Sequence, residues 1–471
     1  MKSSRRTKIV CTLGPACDDP VVLNKMVEAG MNVARLNLSH GTYAQHEQRI
    51  KNLRAISQDI AIIADLQGPR IRTGALKRKE IELKKGARIT LTSKTITGDE
   101  RLLSLSPPSI FSNLKTGELI LIADGSIKLR VSAKKAGAVD CVVIEGGMIG
   151  EHKGVNLPQT ALDLPSLTGK DKKDVDWAVR NKVDYLALSF VRRAEDVAAL
   201  NKLLVKKRAD IPVIAKIEKG EAVKNLNRII QVADAVMVAR GDLGVELSLK
   251  MVPIIQKEIM ELCQIQEKPV IVATQMLETM VNHPHPTRAE VSDVANAIFD
   301  RTDAVMLSEE TSIGKFPVEA VRMMAGIAEE ADKKVKFGAM ELVGFENVSI
   351  AAAHAACVLA RDVKARAIIT FTETGSTALR VSKHRPEVPI FGVVTSERAA
   401  RRLNLYAGVY PLKIRSFRYI DQMIWKMEEA MLKNGFLKKN DLVVITAGVP
   451  VNIPGTTNFI KVHRIGEKRT L

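Results

Sequence analysis

Residues 212–244 read PVIAKIEKGEAVKNLNRIIQVADAVMVARGDLG, and this stretch decides the fold. Two short apolar runs, PVIAKI and AVMVA, flank the segment 222–233, whose apolar spacing is typical of a helix. A strand, a helix and a second strand in this order predict a βαβ unit with parallel strands. Because both runs are almost entirely apolar, we expect each strand to be buried on both faces.

The same unit recurs along the chain in both directions. Six further apolar runs begin at Lys8, Met31, Ile60, Tyr185, Pro269 and Ala304. Helical patterns lie between most of the runs, at spacings of about 25–35 residues, over 20–29, 194–207, 249–266 and 288–300. Eight such units predict an α/β fold with a (β/α)8 TIM barrel. A doubly wound sheet fits less well, since no glycine fingerprint follows the first strand.

One interval interrupts this rhythm. Leu66 and Tyr185 are about 120 residues apart, which is too long for a single crossover. Within the interval, short alternating strands are separated by glycine-rich turns, as in ELILIADGSIKLRVSA at 118–133. We therefore predict an inserted all-β lid domain over 70–165, after strand 3, which divides the barrel into residues 1–69 and 166–340. The insertion leaves from a strand's carboxyl end, where barrels place their active sites.

A second α/β pattern begins after about residue 340. A helical segment over 348–363 precedes the apolar runs AIITF, PIFGVV and DLVVITA, with helical segments near 397–405 and 419–434. This pattern predicts a separate C-terminal α/β domain over 341–471.

Composition restricts the class of protein. The 471 residues are 46% hydrophobic and 26% charged, as in globular proteins, and no apolar run is long enough to span a membrane. The first residues lack the apolar core of a secretion signal. Five scattered cysteines without a C-x-x-C pair argue against a disulfide framework and a zinc site. We expect a cytoplasmic protein.

The net charge of +18 permits three kinds of partner: nucleic acid, an acidic membrane surface or small anions. Aromatic residues make up only 4% of the chain, and the basic residues are dispersed instead of forming runs. Both features disfavour nucleic acid and membranes. We therefore expect the charge to reflect mainly a solvated basic surface, with neither nucleic acid nor a membrane as partner.

Polar residues at the carboxyl ends of barrel strands meet at one rim. Here they are Arg35, Asn37, Ser39, His40, Asp65, Arg70, Arg72, Lys216, Glu218, Arg240, Asp242, Thr274 and Glu309. Glu218 and Asp242 follow neighbouring strands and form a carboxylate pair suited to Mg²⁺. The alternative is a pair of surface carboxylates neutralised by Lys216 and Arg240.

The remaining rim residues suit an anionic substrate. Lys216 lies two residues before Glu218, so both side chains point the same way, and it suits a charge clamp on a phosphoryl group or an enolate. The alternative is a structural salt bridge. Arg35, with Arg72 behind it, suits bidentate anion binding. These patterns predict a Mg²⁺-assisted enzyme that acts on phosphorylated substrates under a lid.

Longer stretches resemble one family, the pyruvate kinases. The matching segments are TKIVCTLGPA, MNVARLNLSHG, ADLQGPRIRTG, HKGVNLP, LSFVR, IAKIEKGEAVKNL, VMVARGDLGVE, VIVATQMLETM, HPHPTRAEVSDVANAIFDRTDAVMLSEET, TETGSTA and GTTN. The resemblance implies transfer of the phosphoryl group of phosphoenolpyruvate to ADP, which gives pyruvate and ATP in the last step of glycolysis.

The resemblance also implies roles for single residues. Glu218 and Asp242 match the Mg²⁺ (or Mn²⁺) ligands, and Lys216 matches the lysine that stabilises the phosphoryl group and the enolate. Arg35 would hold the phosphate. The Gly241 and Asp242 amides, with the Thr274 hydroxyl, would bind the substrate carboxylate, and Thr274 would also lie near the protonation route. Nucleotide contacts would come from Arg72, His40 and Lys153, the last delivered as the lid closes.

The monovalent-cation site departs from the family pattern. Asn37, Ser39, Asp65 and the Leu66 carbonyl match K⁺ ligands of the family, but Arg70 stands where members that require K⁺ carry a glutamate. A fixed positive charge there would replace the ion, so we predict weak or absent K⁺ activation. Glu309 replaces a glycine of many relatives, and the sequence offers no functional reason for it.

The C-terminal domain resembles the family's effector-binding domain. A phosphate cradle for a phosphorylated effector is predicted at Thr370, Thr372, Thr374, Gly375, Ser376 and Thr377. An unliganded turn is the alternative, since such clusters are ordinary in loops. The resemblance further implies a homotetramer.

Two other functions remain open at this point. One is a different Mg²⁺-dependent barrel enzyme of the phosphoenolpyruvate/pyruvate lyase and aldolase group. The other is a basic nucleic-acid-binding protein, which only the net charge favours.

Overall fold

The computed structural model describes residues 5–160, 162, 164–335, 347–450 and 457–467. The first three strands are β1 (Lys8–Thr12), β2 (Val33–Asn37) and β3 (Ala61–Asp65). The inserted segment contains β4 (Ile71–Thr73), β5 (Glu80–Leu83), β6 (Arg88–Thr92), β7 (Leu102–Ser106), β8 (Leu119–Ile122), β9 (Ile127–Lys135), β10 (Ala138–Glu145), β11 (Gly147–Gly150) and β12 (Gly154–Asn156). Five more strands follow: β13 (Tyr185–Leu188), β14 (Val213–Ile217), β15 (Ala235–Ala239), β16 (Val270–Ala273) and β17 (Ala304–Leu307). The C-terminal strands are β18 (Ala367–Phe371), β19 (Ile390–Val394), β20 (Val409–Lys413), β21 (Leu442–Ala447) and β22 (Phe459–Arg464).

The helices of the barrel region are α1 (Pro20–Ala29), α2 (Tyr43–Ile56), then, after α3 (Ile110–Asn113) in the insertion, α4 (Gly169–Arg180), α5 (Ala194–Lys206), α6 (Gly220–Lys224), α7 (Leu226–Val232), α8 (Arg240–Glu246), α9 (Val252–Ile265), α10 (Arg288–Phe299), α11 (Glu309–Ser312) and α12 (Pro317–Asp332). The C-terminal helices are α13 (Val348–Asp362), α14 (Ser376–Lys383), α15 (Glu397–Leu403) and α16 (Ile420–Lys433).

Eight parallel strands close into the predicted barrel, in the order β1, β17, β16, β15, β14, β13, β3, β2 and back to β1. Alternate side chains of one strand enter different cores. In β15, Met237 packs in the barrel interior, whereas its neighbours Val236 and Val238 pack towards the helices. This two-sided burial explains why the barrel strands are nearly continuous apolar runs.

One predicted helix is divided in the structure. The apolar pattern over 222–233 predicts a single helix, but the chain forms α6 and α7 with a break at Asn225. The Asn225 side chain donates hydrogen bonds to the carbonyl oxygens of Arg192 and Glu221. A short polar side chain that bonds backbone groups competes with regular helix, and here a tertiary contact decides the outcome.

The insertion forms a second closed barrel, the lid, with the strand order β10, β6, β7, β4, β12, β8, β9 and back to β10. Its hydrophobic core is separate from that of the main barrel and draws only on residues between Ile71 and Leu164. Two linkers join the lid to the barrel: residues 66–70 follow the carboxyl end of β3, and residues 157–168, of which 161 and 163 lie outside the described residues, lead into α4. The lid therefore stands over the rim.

The C-terminal domain is a five-stranded sheet, in the order β20, β19, β18, β21, β22, with only β22 antiparallel among the described strands. It packs against the opposite, amino-terminal end of the barrel. There the Lys8 Nζ donates to the Val409 carbonyl oxygen at 2.6 Å, and the Tyr185 hydroxyl donates to the Arg402 carbonyl oxygen at 2.8 Å.

All five cysteines are buried and carry free thiols. Within the described ranges, no helix has the length and apolar character needed to cross a bilayer.

Candidate active site

The strand ends bring the charged residues of the rim together. Arg35 lies in β2, Asp65 ends β3, Lys216 lies in β14, and Glu218 follows β14 directly. All four side chains are at most 10% exposed. The rim therefore holds two cations and two carboxylates out of water, where such groups must be paired.

Lys216 lies at the centre of this network. Its Nζ is 2.7 Å from the Glu218 Oε1, 3.3 Å from the Asp65 Oδ1 and 2.8 Å from the Ser189 hydroxyl oxygen. Burial opposes the charged ammonium, but Asp65 and Glu218 outweigh it and raise the pKa of Lys216 above its ordinary value. Lys216 is therefore cationic at neutral pH.

Asp65 is held by both cations. The Arg35 Nε and Nη2 each lie 2.7 Å from the Asp65 Oδ2, and Arg35 also donates to the Thr12 hydroxyl at 3.0 Å. Burial opposes the carboxylate, but Lys216 and Arg35 outweigh it and lower the pKa of Asp65. This pairing fixes the Arg35 guanidinium at the rim.

Glu218 has the environment of a metal ligand. Its Oε2 accepts the Phe190 N–H at 2.9 Å, while Lys216 contacts its other oxygen. Burial raises the pKa of Glu218, Lys216 opposes this, and the negative charge of Asp242 adds to the rise. Two carboxylates that repel each other form a donor set that a divalent cation would relieve.

Asp242 lies in the first turn of α8 and lines a cleft of about 720 Å³ between the rim and the lid. Within the described residues, no group of three or more His, Cys, Asp or Glu side chains is placed to hold a metal. A pair of carboxylates is nevertheless the usual protein share of a Mg²⁺ site, since waters and substrate oxygens supply the remaining ligands.

Thr274 follows β16 in an unusual backbone conformation. Its φ is +67°, and that of Gln275 is +53°, both in the left-handed region that side chains other than glycine seldom adopt. The Thr274 hydroxyl accepts the Gly241 N–H at 2.8 Å and donates to the Ala273 carbonyl oxygen at 2.6 Å. The Gly241 amide is predicted to face a substrate, but in this structure its N–H is bonded to Thr274.

Arg240 has a structural partner that sequence reasoning did not identify. Its guanidinium pairs with Asp293 at 2.7 Å and donates to the carbonyl oxygens of Thr274 and Gln275. It therefore spans the loops after β15 and β16. No sequence signal links Arg240 to Asp293, since the two are 53 residues apart.

The predicted nucleotide residues lie where the lid meets the rim. Burial, followed by the charges of Arg70, Arg72 and Arg35, lowers the pKa of His40. The ring is therefore neutral at pH 7 and sits among three arginines. Lys153 is close to Arg72, because Gly154 in β12 pairs with Arg72 in β4. The three arginines around His40 suit a polyanionic ligand.

The predicted K⁺ ligands are neighbours, since Asn37 and Asp65 are paired residues of β2 and β3. Each of three has a partner within the chain. The Asn37 side chain accepts the Ser39 N–H at 3.1 Å, the Leu66 carbonyl accepts the Ser189 hydroxyl at 2.8 Å, and Asp65 binds the two cations.

Glu309 and Glu310 differ in environment. Glu310 is buried and accepts the backbone N–H groups of Leu277 and Ser308 at 3.1 and 2.6 Å. Glu309 is exposed and lines the same cleft as Asp242 and Thr274. Glu309 therefore adds a negative charge to the wall of the cleft.

The predicted effector residues surround the start of α14, where Gly375 has a φ of +101°. Thr370 is fully buried and donates to the Phe391 carbonyl oxygen at 3.3 Å, and Thr377 bonds the Thr457 hydroxyl at 2.9 Å. Thr372 accepts the Gly375 N–H at 2.9 Å, and the Thr374 hydroxyl lies 3.5 Å from that of Ser376.

This barrel, with its carboxylate pair, its buried cations and its lid, defines a class: enzymes that transfer phosphoryl groups with a divalent metal. A family model described as "Pyruvate kinase, barrel domain" matches residues 4–321, and one described as "Pyruvate kinase, alpha/beta domain" matches residues 350–463.

Individual known proteins match this chain over nearly its full length. Pyruvate kinase of Clostridium acetobutylicum is 43% identical over 98% of this chain and 99% of that protein. Pyruvate kinase of Thermotoga maritima is 42% identical over 98% of this chain and 100% of that protein. A crystal structure of a pyruvate kinase from Cryptosporidium parvum matches with a TM-score of 0.91 and 34% identity, over 98% of this chain and 96% of that one.

The chain belongs to the pyruvate kinase family. Its activity is the glycolytic transfer of a phosphoryl group from phosphoenolpyruvate to ADP, and the family uses a divalent metal. Neither a lyase or aldolase nor a nucleic-acid-binding protein is favoured by these matches.

Proposed function

We propose that Lys216, Arg35 and Thr274 carry the chemical step of this reaction. The observation that supports this most is the buried Lys216 ammonium, which keeps its charge between Asp65 and Glu218 at the rim. A fixed cation in a dry site stabilises negative charge that develops during a reaction far better than water does.

Phosphoenolpyruvate would bind with its phosphate towards Arg35 and Lys216. Its carboxylate would accept hydrogen bonds from the Gly241 and Asp242 amides and from the Thr274 hydroxyl. Without substrate, the Gly241 N–H donates to the Thr274 hydroxyl oxygen and that hydroxyl donates to the Ala273 carbonyl oxygen, so both donors would exchange these partners for the carboxylate.

Glu218 and Asp242 would hold Mg²⁺ or Mn²⁺, which neutralises charge on the phosphoryl oxygens when bound. ADP would contact Arg72, His40 and Lys153, with its terminal phosphate directed at the substrate phosphorus. These residues orient the two anions against their mutual repulsion.

The phosphoryl group then passes from the enol oxygen of the substrate to a terminal oxygen of ADP. One P–O bond breaks, another forms, and the enolate left behind faces the Lys216 ammonium. A proton added to the methylene carbon through the Thr274 hydroxyl gives pyruvate.

The test compares Lys216→Met with Lys224→Met, which removes an exposed lysine of α6. Pyruvate formation from phosphoenolpyruvate and ADP is measured with and without Mg²⁺. We expect Lys216→Met to lower kcat about 10²- to 10³-fold and Lys224→Met to leave it unchanged. Full activity in Lys216→Met would refute the assigned role.

We propose that K⁺ is not strictly required. Arg70 adds a positive charge near His40 and Arg72, close to the predicted K⁺ ligands. KCl and choline chloride should then give similar rates at equal ionic strength. Arg70→Glu should make the enzyme depend on KCl, whereas a large KCl effect in the unchanged enzyme would refute the proposal.

Four further expectations stay proposals. We propose a homotetramer in the cytoplasm, with domain boundaries after residues 69, 165 and 340. Light scattering of the purified protein tests the assembly. We also propose a phosphate-binding loop at the start of α14, supported by the left-handed Gly375. Isothermal titration with sugar monophosphates, with Thr372→Ala as the variant, tests that loop.

A further inference from the structure

The lid is attached by two linkers, residues 66–70 and 157–168, and one buried carboxylate contacts both. Asp171 lies in the first turn of α4, directly after the second linker, and is fully buried. Its two oxygens bond to different linkers, which connects segments about 100 residues apart in the chain.

The first linker is bonded through Gly68. Its N–H donates to the Asp171 Oδ1 at 3.1 Å. Gly68 has a φ of +69°, and a Cβ added there would lie 2.8 Å from the Phe190 ring and 3.2 Å from the Ser189 carbonyl oxygen. The linker backbone is thus pressed against the loop after β13, and the turn needs glycine.

The second linker is bonded through Thr168. The Thr168 N–H and hydroxyl both donate to the Asp171 Oδ2, at 2.8 and 2.6 Å, and the Asp171 N–H donates back to the hydroxyl at 3.1 Å. This is a capping box, and it uses a single carboxylate oxygen. The hydrogen bond from the Gly68 N–H to the other oxygen, Oδ1, is not part of this capping box.

The contacts of Gly68 lead on to the reaction site. Phe190, against which Gly68 packs, donates its N–H to Glu218, and Ser189 contacts Lys216. On the other side, Lys170 next to Asp171 donates from its Nζ to the Leu38 carbonyl oxygen at 2.7 Å, in the loop that carries His40. The first turn of α4 therefore touches both linkers and the rim.

We propose that Asp171 is a positioning residue that holds the two lid linkers at a common pivot. With this pivot fixed, the lid-borne Arg72 and Lys153 meet the nucleotide in register with the barrel site. This last step rests on the proposed nucleotide contacts, whereas the pivot itself does not.

The decisive variant is Asp171→Asn. One amide oxygen still accepts from Thr168, but the amide nitrogen is a donor and faces the Gly68 N–H, so only the bond to the first linker is lost. Thr168→Ala is the matched control. It removes the capping hydroxyl but leaves the Thr168 N–H and the Gly68 bond in place.

Lid position is measured directly with spin labels on Lys85→Cys in the lid and Lys224→Cys in the barrel, both exposed positions. The five native cysteines are buried and do not compete for the label. We expect a broader distance distribution in Asp171→Asn and an unchanged one in Thr168→Ala. An unchanged distribution in Asp171→Asn would overturn the pivot, whatever the nucleotide contacts are.

Kinetics then separates positioning from plain stability. We expect Asp171→Asn to raise KM for ADP about tenfold with little change in KM for phosphoenolpyruvate, as fits the loss of one hydrogen bond to a charged group. Thr168→Ala should lower the melting temperature without this KM split. A lower melting temperature in Asp171→Asn with both KM values unchanged would reduce Asp171 to a structural role.

If the label distances broaden but Lys153→Met leaves KM for ADP unchanged, the nucleotide assignment fails and the pivot stands.

Discussion

The Arg240 guanidinium donates a hydrogen bond to the Thr274 carbonyl oxygen at 2.9 Å and holds this residue in a backbone conformation with a φ of +67°. The same guanidinium is anchored by Asp293 in α10. The strain at Thr274 is thus maintained by a partly exposed ion pair between the end of β15 and α10, and the hydroxyl stays aligned with the Gly241 amide.

Replacing Arg240 should therefore impair the chemical step. Arg240→Lys keeps a charge near Asp293 but cannot span Thr274, Gln275 and Asp293 together. We expect kcat to fall about 10²-fold, since displacing a catalytic group by about 1 Å has effects of this size. Steady-state kinetics checks this, with Arg228→Lys at an exposed position of α7 as the control. Equal kcat values for the two variants would contradict the expectation.

A direct contact between lid and barrel should affect nucleotide binding. The Asn156 side chain of β12 donates to the Glu246 Oε1 at 2.7 Å, and Lys219 also pairs with Glu246. Asn156→Ala leaves the Lys219 pair intact, so we expect the melting temperature to hold while KM for ADP rises about fivefold. Ser126→Ala, which removes an exposed hydroxyl of the lid, should change neither quantity. A fall in the melting temperature alone would argue for a structural contact.

The contact between the barrel and the C-terminal domain should depend on pH. Burial opposes the Asp303 carboxylate, but Lys383 at 2.7 Å and Arg385 at 3.0 Å outweigh it and lower the pKa of Asp303. Burial, with the charge of Arg385, also lowers the pKa of Lys383, because two cations share this one anion. The stabilising effect of the ionised Asp303 is fully present above the ordinary aspartate pKa of about 4. It is lost as the pH falls through the lower pKa that Asp303 has in the folded protein.

Asp303→Asn leaves two buried cations without their anion. We expect it to lower the free energy of unfolding by about 3–5 kcal/mol at pH 7 and by less at pH 3, which lies below the ordinary aspartate pKa of about 4. Urea titrations at the two pH values measure this. Asp300→Asn, which breaks a more exposed pair with Lys257, should change the free energy by at most about 1 kcal/mol. A pH-independent difference for Asp303→Asn would contradict the assignment.

Glu309 should weaken substrate binding. It lines the cleft together with Asp242 and Thr274, so its charge opposes an incoming trianion. Glu309→Gln keeps the shape and removes the charge. We expect KM for phosphoenolpyruvate to fall about two- to threefold at low salt, with a smaller effect at high salt because of screening. Glu319→Gln on α12 is the control, and an equal change in both variants would speak against a local effect.

The sequence predicts the eight strands because residues buried on both faces leave a continuous apolar signal, as in AVMVA of β15. It also predicts which polar residues reach the rim, because barrel geometry places strand ends together. It does not predict the partners that these residues choose. The sequence suggested only nearby carboxylates as partners of Arg240, but Arg240 pairs with Asp293. Likewise, the N–H of Phe190, in another loop, donates a hydrogen bond to Glu218.

These misses share a cause. Such partners depend on the register of distant segments and on backbone amides, which every residue type carries. The break between α6 and α7 has the same origin, since the Asn225 side chain bonds the Arg192 carbonyl from a neighbouring loop.

The barrel interior and part of the C-terminal domain form one hydrophobic cluster, which joins Ile63 and Met237 to Leu403 and Tyr406, whereas the lid has a core of its own. Domains that are neighbours in the sequence are therefore not the ones that should unfold together. On heating, the barrel should melt together with a domain that lies at the far end of the sequence, while the lid, which interrupts the barrel, can unfold and refold as an independent calorimetric unit.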